Sequence, residues 1–436
     1  MKKFALIFLS IIFIFVSCGK SNQKSSEDSA SGSKYNYIIN VDIDPYESSV
    51  EAKGSVKFTA LEDKTDSVSF LLHKQFNISS ITGENIKSFS FDKKTVSPYN
   101  LTPDAGILTI HFKTPLQKGD EYKFDFAYSG TITDFKYHNN SISEDWVELG
   151  WRCPWYPYST QYRTFNFAIN VGIEKDYNVV GIGDIKHKKN RWYITEDEPV
   201  NDIFIGASRG LKTLVKEDED KKVILYYKIQ KDVPIGRIMD DALWILNKYN
   251  EWFDSEKTKV FSILIAPRES GGAYADTRFI VYRFSKKKMD YFSHFFLGIS
   301  PAIARIWWDN APIGDWQMWL NESFAEYSTI MAVRERYGER YFNSIMKRKI
   351  GFLSRIKFPP LYNLDMESSF AYPVLFNKGP VILYNLEKKI GRPKFMKLLQ
   401  TLIKDKVGST DKFLEVLENL DGKDIRMEVQ KEIYGK

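Results

Sequence analysis

The spacing of hydrophobic residues changes partway along this chain, and that change constrains the fold class. From Tyr35 to about Gly210, apolar residues recur at every second position, most clearly at residues 35–43, 108–112 and 122–128. Runs of this kind, bounded by Gly, Pro, Asn and Asp, predict short antiparallel strands with one buried face. After Asp218 the spacing becomes helical, with stripes at residues 320–331, 382–390, 395–402 and 413–420. We therefore predict a multidomain β plus α/β protein, with an antiparallel β saddle or sandwich domain at residues 35–212 and a mainly helical domain at residues 218–436.

The first 34 residues predict export and anchoring. Lys2 and Lys3 precede an apolar run at residues 4–16, which fits a signal peptide and is shorter than the ~20 residues that span a bilayer. The junction Ser17-Cys18-Gly19 resembles the lipid-attachment site of bacterial lipoproteins. We predict a signal peptide at residues 1–17, a lipidated Cys18, and a flexible tether rich in Ser and Lys at residues 18–34. The expected location is the bacterial cell envelope, lipid-anchored to a membrane and periplasmic or surface-exposed. A simple cleaved signal with an incidental cysteine remains the alternative.

Charge and cysteine content exclude several classes of protein. The formal net charge of +6 is spread along the chain, and the densest basic run, residues 286–288, is typical of a solvated loop or helix end. We therefore expect no nucleic-acid partner. Cys153 is the only cysteine besides Cys18, so a lipidated Cys18 leaves no intrachain disulfide. The aromatic-rich segment at residues 146–158 is predicted to pack in the core.

The second half carries a series of short motifs in a fixed order. They are Gly-Gly-Ala at 271–273, Trp-Trp-Asp-Asn at 307–310, Leu-Asn-Glu at 320–322, Asn-Lys-Gly-Pro at 377–380 and Gly-Lys-Asp at 422–424. In this order they resemble the membrane alanyl aminopeptidase family of zinc peptidases, gluzincins that include leukotriene hydrolase. The resemblance extends over nearly the whole chain after the tether. It implies an N-terminal saddle domain followed by a thermolysin-like catalytic-type domain.

The family's zinc site is degenerate in this sequence. The resemblance implies two histidine ligands and a general base from His-Glu-x-x-His, and a third ligand from Leu-Asn-Glu. The matching positions are Pro301 for the first histidine, Ala302 for the base and Arg305 for the second histidine. Glu322 alone keeps the family's ligand type. The interval from Arg305 to Glu322 is two residues shorter than the family's, which leaves a shifted alignment open.

The family's substrate-contacting positions are also altered. The strand that binds a substrate's free amine matches Gly272, Ala273, Tyr274 and Ala275, and Ala275 stands where the family has a glutamate. We assign these four residues as the candidate substrate-binding strand. The tyrosine that stabilises a developing oxyanion in the family matches Phe376, which has no hydroxyl.

No other residues restore a metal site in the sequence. The chain has five histidines, and none lies four residues from another. His294, the only one in the second half, is interpreted as a packing or surface residue. We predict no cofactor, with zinc as the cofactor if the site is an unrecognised divergent one.

The substitutions suggest a replacement for the metal. Ser300-Pro301 predicts a helix start, with Ser300 as the cap and Pro301 in the first turn. Arg305 would then project toward Glu322, and its guanidinium could pair with a carboxylate that is costly to bury alone. In the alternative interpretation, both side chains point to solvent.

Three functional hypotheses follow. The leading one is a surface-anchored, non-catalytic aminopeptidase-like protein that binds a peptide or an envelope protein. The second is an active zinc-dependent aminopeptidase with a divergent site. The third is a structural or adhesive surface protein.

Overall fold

The computed structural model describes residues 35–94, 102, 104–133, 141–159, 161, 164–228, 234–254, 258–267, 274–276, 278–283, 295–312 and 315–435. The predicted signal peptide, Cys18 and the tether lie outside these residues. The chain divides into two compact units: one extends to Leu214 and includes Tyr226–Lys231, and the other comprises Val215–Leu225 and Asp232–Lys436.

The first unit is built of strands. Its described strands are β1 Asn36–Asp44, β2 Ser49–Thr59, β3 Thr65–His73, β4 Asn77–Thr82, β5 Ile86–Asp92, β6 Ala105–Leu116, β7 Glu121–Thr131, β8 Ser141–Ser143, β9 Trp146–Leu149, β10 Phe165–Gly172, β11 Tyr177–Gly181, β12 Asp184–Lys188, β13 Arg191–Val200 and β14 Ile205–Arg209. They form a seven-stranded sheet in the order β12-β13-β10-β1-β2-β7-β4, a four-stranded sheet β11-β14-β9-β8 and a three-stranded sheet β3-β6-β5.

The alternating pattern of the sequence corresponds to the buried faces of these strands. In β1, Tyr37, Ile39 and Val41 are buried, and the residues between them are more exposed. The prediction that the strands pair antiparallel is wrong for β1 and β10, which run parallel to each other. A parallel pair needs a long connection, and here the chain builds other strands before it returns.

The aromatic segment at residues 146–158 packs in the core, as predicted. Trp155 and Tyr156 are fully buried, and the Trp155 indole donates a hydrogen bond to the Ile203 carbonyl over 2.9 Å. Cys153 is a buried free thiol, and burial raises its pKa, so it is not poised as a nucleophile.

The second half joins a small sheet to a helical body. Its strands are β15 Lys212–Asp218, β16 Lys221–Tyr227, β17 Val260–Ala266, β18 Tyr274–Asp276 and β19 Phe279–Arg283, ordered β15-β16-β17-β19-β18. Its described helices are α1 Ile235–Phe253, α2 Leu297–Ala304, α3 Trp319–Tyr337, α4 Glu339–Leu353, α5 Ala371–Pro373, α6 Gly379–Ile390, α7 Arg392–Lys404, α8 Thr410–Asp421 and α9 Lys423–Tyr434. A 3₁₀ turn at Trp316–Met318 precedes α3, and a π-helical turn at Val374–Lys378 joins α5 to α6. The predicted fold class, a β domain followed by a mainly helical domain, is confirmed.

Helix α3 forms the centre of the helical body. Leu320, Phe324, Tyr327 and Met331 are buried, as the helical spacing predicted. The helix ends at Gly338, whose φ of 89° is accessible to glycine without strain. No helix within the described ranges is both long and apolar enough to cross a membrane.

The close contact of α6 with α3 gives a stability prediction. A Cβ placed on Gly379 would lie 1.9 Å from the Ser323 Oγ, whereas one on Gly351 in α4 meets nothing within 4 Å. We expect Gly379→Ala to lower the free energy of unfolding by roughly 2 kcal/mol or more through overpacking. Gly351→Ala, the control, should raise it by about 0.5–1 kcal/mol. Urea unfolding of the two variants checks this, and equal effects of the two substitutions would contradict the close contact.

Candidate functional site

Helix α2 carries two of the degenerate positions, Pro301 and Ala302, but it does not begin where the sequence predicted. The helix starts at Leu297, so Ser300 is not its cap and Pro301 lies inside it. The Ser300 hydroxyl instead shares a 2.7 Å hydrogen bond with the Tyr249 hydroxyl of α1. Pro301 is tolerated at the fifth helical residue because its ring removes only one intrahelical bond from a short helix.

The end of α2 presents Arg305. Pro301 and Ala302 are buried, and neither side chain carries a donor or acceptor. Arg305 follows the last helical residue, and its N–H donates to the Pro301 carbonyl over 3.1 Å, so it lies one turn beyond Pro301. A cation at a helix C-terminus is favoured by the helix dipole.

The start of α3 positions Glu322. The Asn321 amide exchanges two hydrogen bonds with the backbone of Ala311, at 3.0 and 3.1 Å, and this ties α3 to the segment that follows α2. Glu322 then lies in the first turn of α3, where the helix dipole favours a carboxylate.

Arg305 and Glu322 form an ion pair. The Arg305 Nη2 lies 2.5 Å from the Glu322 Oε2, and Nε lies 3.2 Å from each carboxylate oxygen. The Glu322 side chain is 11% exposed and that of Arg305 is 26% exposed. The expected contact between the two side chains is therefore confirmed, and the alternative in which both point to solvent is wrong.

The ion pair holds Arg305 in its charged form. Burial by itself lowers the pKa of the guanidinium, but the charge and hydrogen bonds of Glu322 outweigh burial and raise the pKa overall. The carboxylate therefore has a permanent cation beside it.

A second ion pair lies one turn further along α3 and was not predicted. The Lys349 Nζ of α4 donates to the Glu326 carboxylate over 2.7 Å and to the Phe376 carbonyl over 2.6 Å. Glu326 lies four residues after Glu322, so the sequence could have indicated that both carboxylates lie on the same face of α3. Its partner is 23 residues away and could not be inferred from local spacing.

Phe376 lies in the π-helical turn at Val374–Lys378, which is hydrogen-bonded to α3 through the Leu375 carbonyl. The Ser323 hydroxyl donates to the Leu375 carbonyl over 2.7 Å. The Phe376 ring is nearly buried and stacks on Tyr372, with centroids 4.4 Å apart and planes at 25°. Burial, together with the charge of Glu326, raises the pKa of Tyr372 to about 12, against the lowering effect of Arg305. The phenol stays protonated at neutral pH.

The candidate substrate-binding strand is described only in part. Tyr274 and Ala275 lie in β18, which pairs antiparallel with β19 at one edge of the sheet. Gly272, Ala273 and His294 lie outside the described residues.

The side chains at this position do not fit a catalytic zinc ion. Of the four positions that match the family's zinc ligands and general base, only Glu322 has a side chain that can bind a metal. Its carboxylate is already bonded to Arg305. Catalytic zinc needs three protein ligands, and a guanidinium is a cation with donors only. Within the part of the chain that the structure describes, no group of three His, Cys, Asp or Glu side chains could hold a metal ion.

The chain resembles an aminopeptidase in part of its sequence and zinc metallopeptidases in its fold. No family model matches it. Over 210 residues it is 25% identical to human endoplasmic reticulum aminopeptidase 2, and the aligned stretch covers 44% of this chain and 21% of that protein. The chain thus matches about a fifth of the length of this curated relative.

Solved structures resemble the chain over almost its full length. An M1 zinc metallopeptidase from Deinococcus radiodurans has a TM-score of 0.71 at 14% identity, over 92% of this chain and 93% of that one. A mutant of the same enzyme, bound to a Tyr-Ser-Ala substrate, gives a TM-score of 0.70 at 15% identity, over 93% and 94% of the two chains. This chain therefore has the fold of the M1 zinc metallopeptidases, and part of its sequence is similar to an aminopeptidase.

Proposed function

We propose that this protein is a non-catalytic member of the aminopeptidase fold, anchored in the cell envelope, which binds a peptide or an envelope protein. The observation that carries the proposal is the ion pair between Arg305 and Glu322. It places a cation from the chain beside the one carboxylate that matches a family zinc ligand.

The side chains at the degenerate positions lack the groups that a zinc peptidase needs. A zinc peptidase activates water with its metal and removes a proton from that water with a general base. Pro301 and Ala302 can neither bind a metal nor accept a proton, and Phe376 has no hydroxyl to donate to an oxyanion. Losing one oxyanion donor alone typically lowers a rate by about 10²–10³. Joint loss of two ligands, the base and this donor leaves Glu322 as the one retained ligand, which cannot hold a catalytic metal by itself.

Hydrolysis assays test the catalytic part of the proposal. We expect the purified protein to release no amino acid from unblocked di- and tripeptides, and a chelator to change nothing. Glu322→Gln should likewise give no hydrolysis, because the carboxylate binds Arg305 rather than a metal. Chelator-sensitive hydrolysis that Glu322→Gln abolishes would instead establish the divergent zinc aminopeptidase.

Membrane attachment is a separate part of the proposal and depends on Cys18. We expect Cys18→Ser to release the protein from the membrane fraction, or to block its processing, because the thiol is the proposed site of lipid attachment. Cys153→Ser is the matched control, since Cys153 is buried and free. Fractionation and mass spectrometry measure the outcome. A correctly cleaved Cys18→Ser protein that stays in the membrane would contradict a lipid anchor.

A further inference from the structure

The Arg305 guanidinium uses only one of its two hydrogen-bonding edges. Nε and Nη2 form the side-on edge, and both bond to Glu322. The end-on edge consists of Nη1 and the outer N–H of Nη2. Nη1 has no hydrogen-bond partner among the described residues, and the side chain is 26% exposed. A guanidinium edge with two parallel N–H groups matches a carboxylate in two-point geometry.

The neighbouring groups leave this edge available. The nearby Glu326 carboxylate is bonded to Lys349 at 2.7 Å, so it does not compete for Nη1. The two ion pairs, Arg305–Glu322 and Lys349–Glu326, carry no net charge together. A ligand carboxylate would therefore meet no excess negative charge, and the two N–H groups of the open edge are already in position to bind it. Because Glu322 already fixes the guanidinium, little side-chain entropy is lost when a ligand binds.

Tyr372 adds an aromatic wall and a second donor. Tyr372 is 43% exposed as a residue, and its ring stacks on Phe376. Its hydroxyl has no hydrogen-bond partner in the described parts of the chain, and the charges of Glu326, Arg305 and Glu322 all affect its pKa. A protonated phenol is a donor that can add to the guanidinium, and the ring gives apolar contact to the adjoining part of a ligand.

We propose that the open edge of Arg305, with the Tyr372 hydroxyl, is a binding site for a carboxylate of a peptide ligand. This inference rests on the proposed peptide-binding function and specifies the chemical group that the site recognises. The carboxylate is either a peptide C-terminus or an Asp or Glu side chain, and the test below separates these two sources.

Calorimetric titration of the full chain in mild detergent tests the site. The probes are Ala-Phe-Ala with a free or acetylated N-terminus, each as the free acid and as the amide. We expect the acids to bind about tenfold or more tightly than the amides, about 1.4 kcal/mol, whether or not the amine is blocked. Two peptides blocked at both ends, acetyl-Ala-Asp-Ala-amide and acetyl-Ala-Asn-Ala-amide, test for recognition of a side-chain carboxylate. Tighter binding of the Asp peptide would show that the site accepts a side-chain carboxylate.

Substitutions at Arg305 and Tyr372 test whether these residues cause the preference for peptide acids over amides. Arg305→Lys keeps a cation for Glu322 but loses the two-point edge, so the preference for the acid should disappear while the melting temperature changes little. Tyr372→Phe keeps the stack and should weaken acid binding about two- to fivefold. Arg334→Lys is the matched control, because Arg334 pairs with Glu387 through a comparable 2.6 Å contact elsewhere on α3.

Three results would overturn the inference: no saturable binding of any acid, equal binding of acids and amides, or an unchanged preference in Arg305→Lys. Loss of binding on acetylation alone would show that the amine is recognised instead. None of these results bears on hydrolysis or metal content, so the inference can fail while the proposed absence of catalysis stands.

Discussion

Replacing Arg305 with Met is expected to destabilise the protein more than replacing Glu322 with Gln. Arg305→Met leaves the Glu322 carboxylate, 11% exposed, without its cation. An uncompensated buried charge costs about 3 kcal/mol or more. Glu322→Gln leaves the more exposed guanidinium, which can reach water, so the expected loss is about 1–2 kcal/mol. The asymmetry follows from the burial of the two partners.

A double-mutant cycle measures the coupling between the two side chains. The unfolding free energies of both single variants and the double variant, measured in urea, should give a favourable coupling above about 1 kcal/mol. The exposed pair Lys412–Glu415, whose side chains are 47% and 58% exposed, is the control. Its coupling should stay below about 0.5 kcal/mol. Equal coupling in both cycles would show that the Arg305–Glu322 contact has no special role.

Restoring the missing donors is expected to create a zinc site. In the variant Pro301→His/Ala302→Glu/Arg305→His, the two imidazoles would lie one helical turn apart, because the Arg305 N–H bonds to the Pro301 carbonyl at 3.1 Å. Glu322 would lose its cation and become free to bind metal. Without zinc, the variant should be less stable than the unaltered protein, because the carboxylate is left unpaired.

Zinc should reverse that loss. At a free zinc concentration 100 times the dissociation constant, linkage predicts a gain of about 2.7 kcal/mol, seen as a rise in melting temperature. The control adds Glu322→Gln to the same triple variant, which should abolish the gain. If zinc stabilises the unaltered protein as much as the triple variant, the assignment of Pro301 and Arg305 to the metal positions is wrong.

The sequence predicted those features that depend on local spacing. The period of two predicted strands at β1, β6 and β7, and the helical stripes predicted α3 and α6–α8 with their buried faces. The contact between Arg305 and Glu322 was also predicted, since a charged residue at each of two motif positions needs a partner in a buried setting.

Features that depend on contacts between distant segments could not be predicted. Nothing local indicates that β10 pairs in parallel with β1, or that Lys349 reaches Glu326 and the Phe376 carbonyl. Ser300-Pro301 has the local signature of a helix start, but helix α2 already begins at Leu297 and the Ser300 hydroxyl is bonded to Tyr249 of α1. Tertiary packing overrode the local signal there.

Zinc content of the unaltered protein is the most direct test of the account. The purified full chain is dialysed against buffer with zinc, then against metal-free buffer, and its metal is measured by elemental analysis beside Glu322→Ala. We expect well below one zinc per chain in both proteins, because Arg305 binds the carboxylate that a metal would need. One zinc per chain in the unaltered protein, lost in Glu322→Ala, would contradict it.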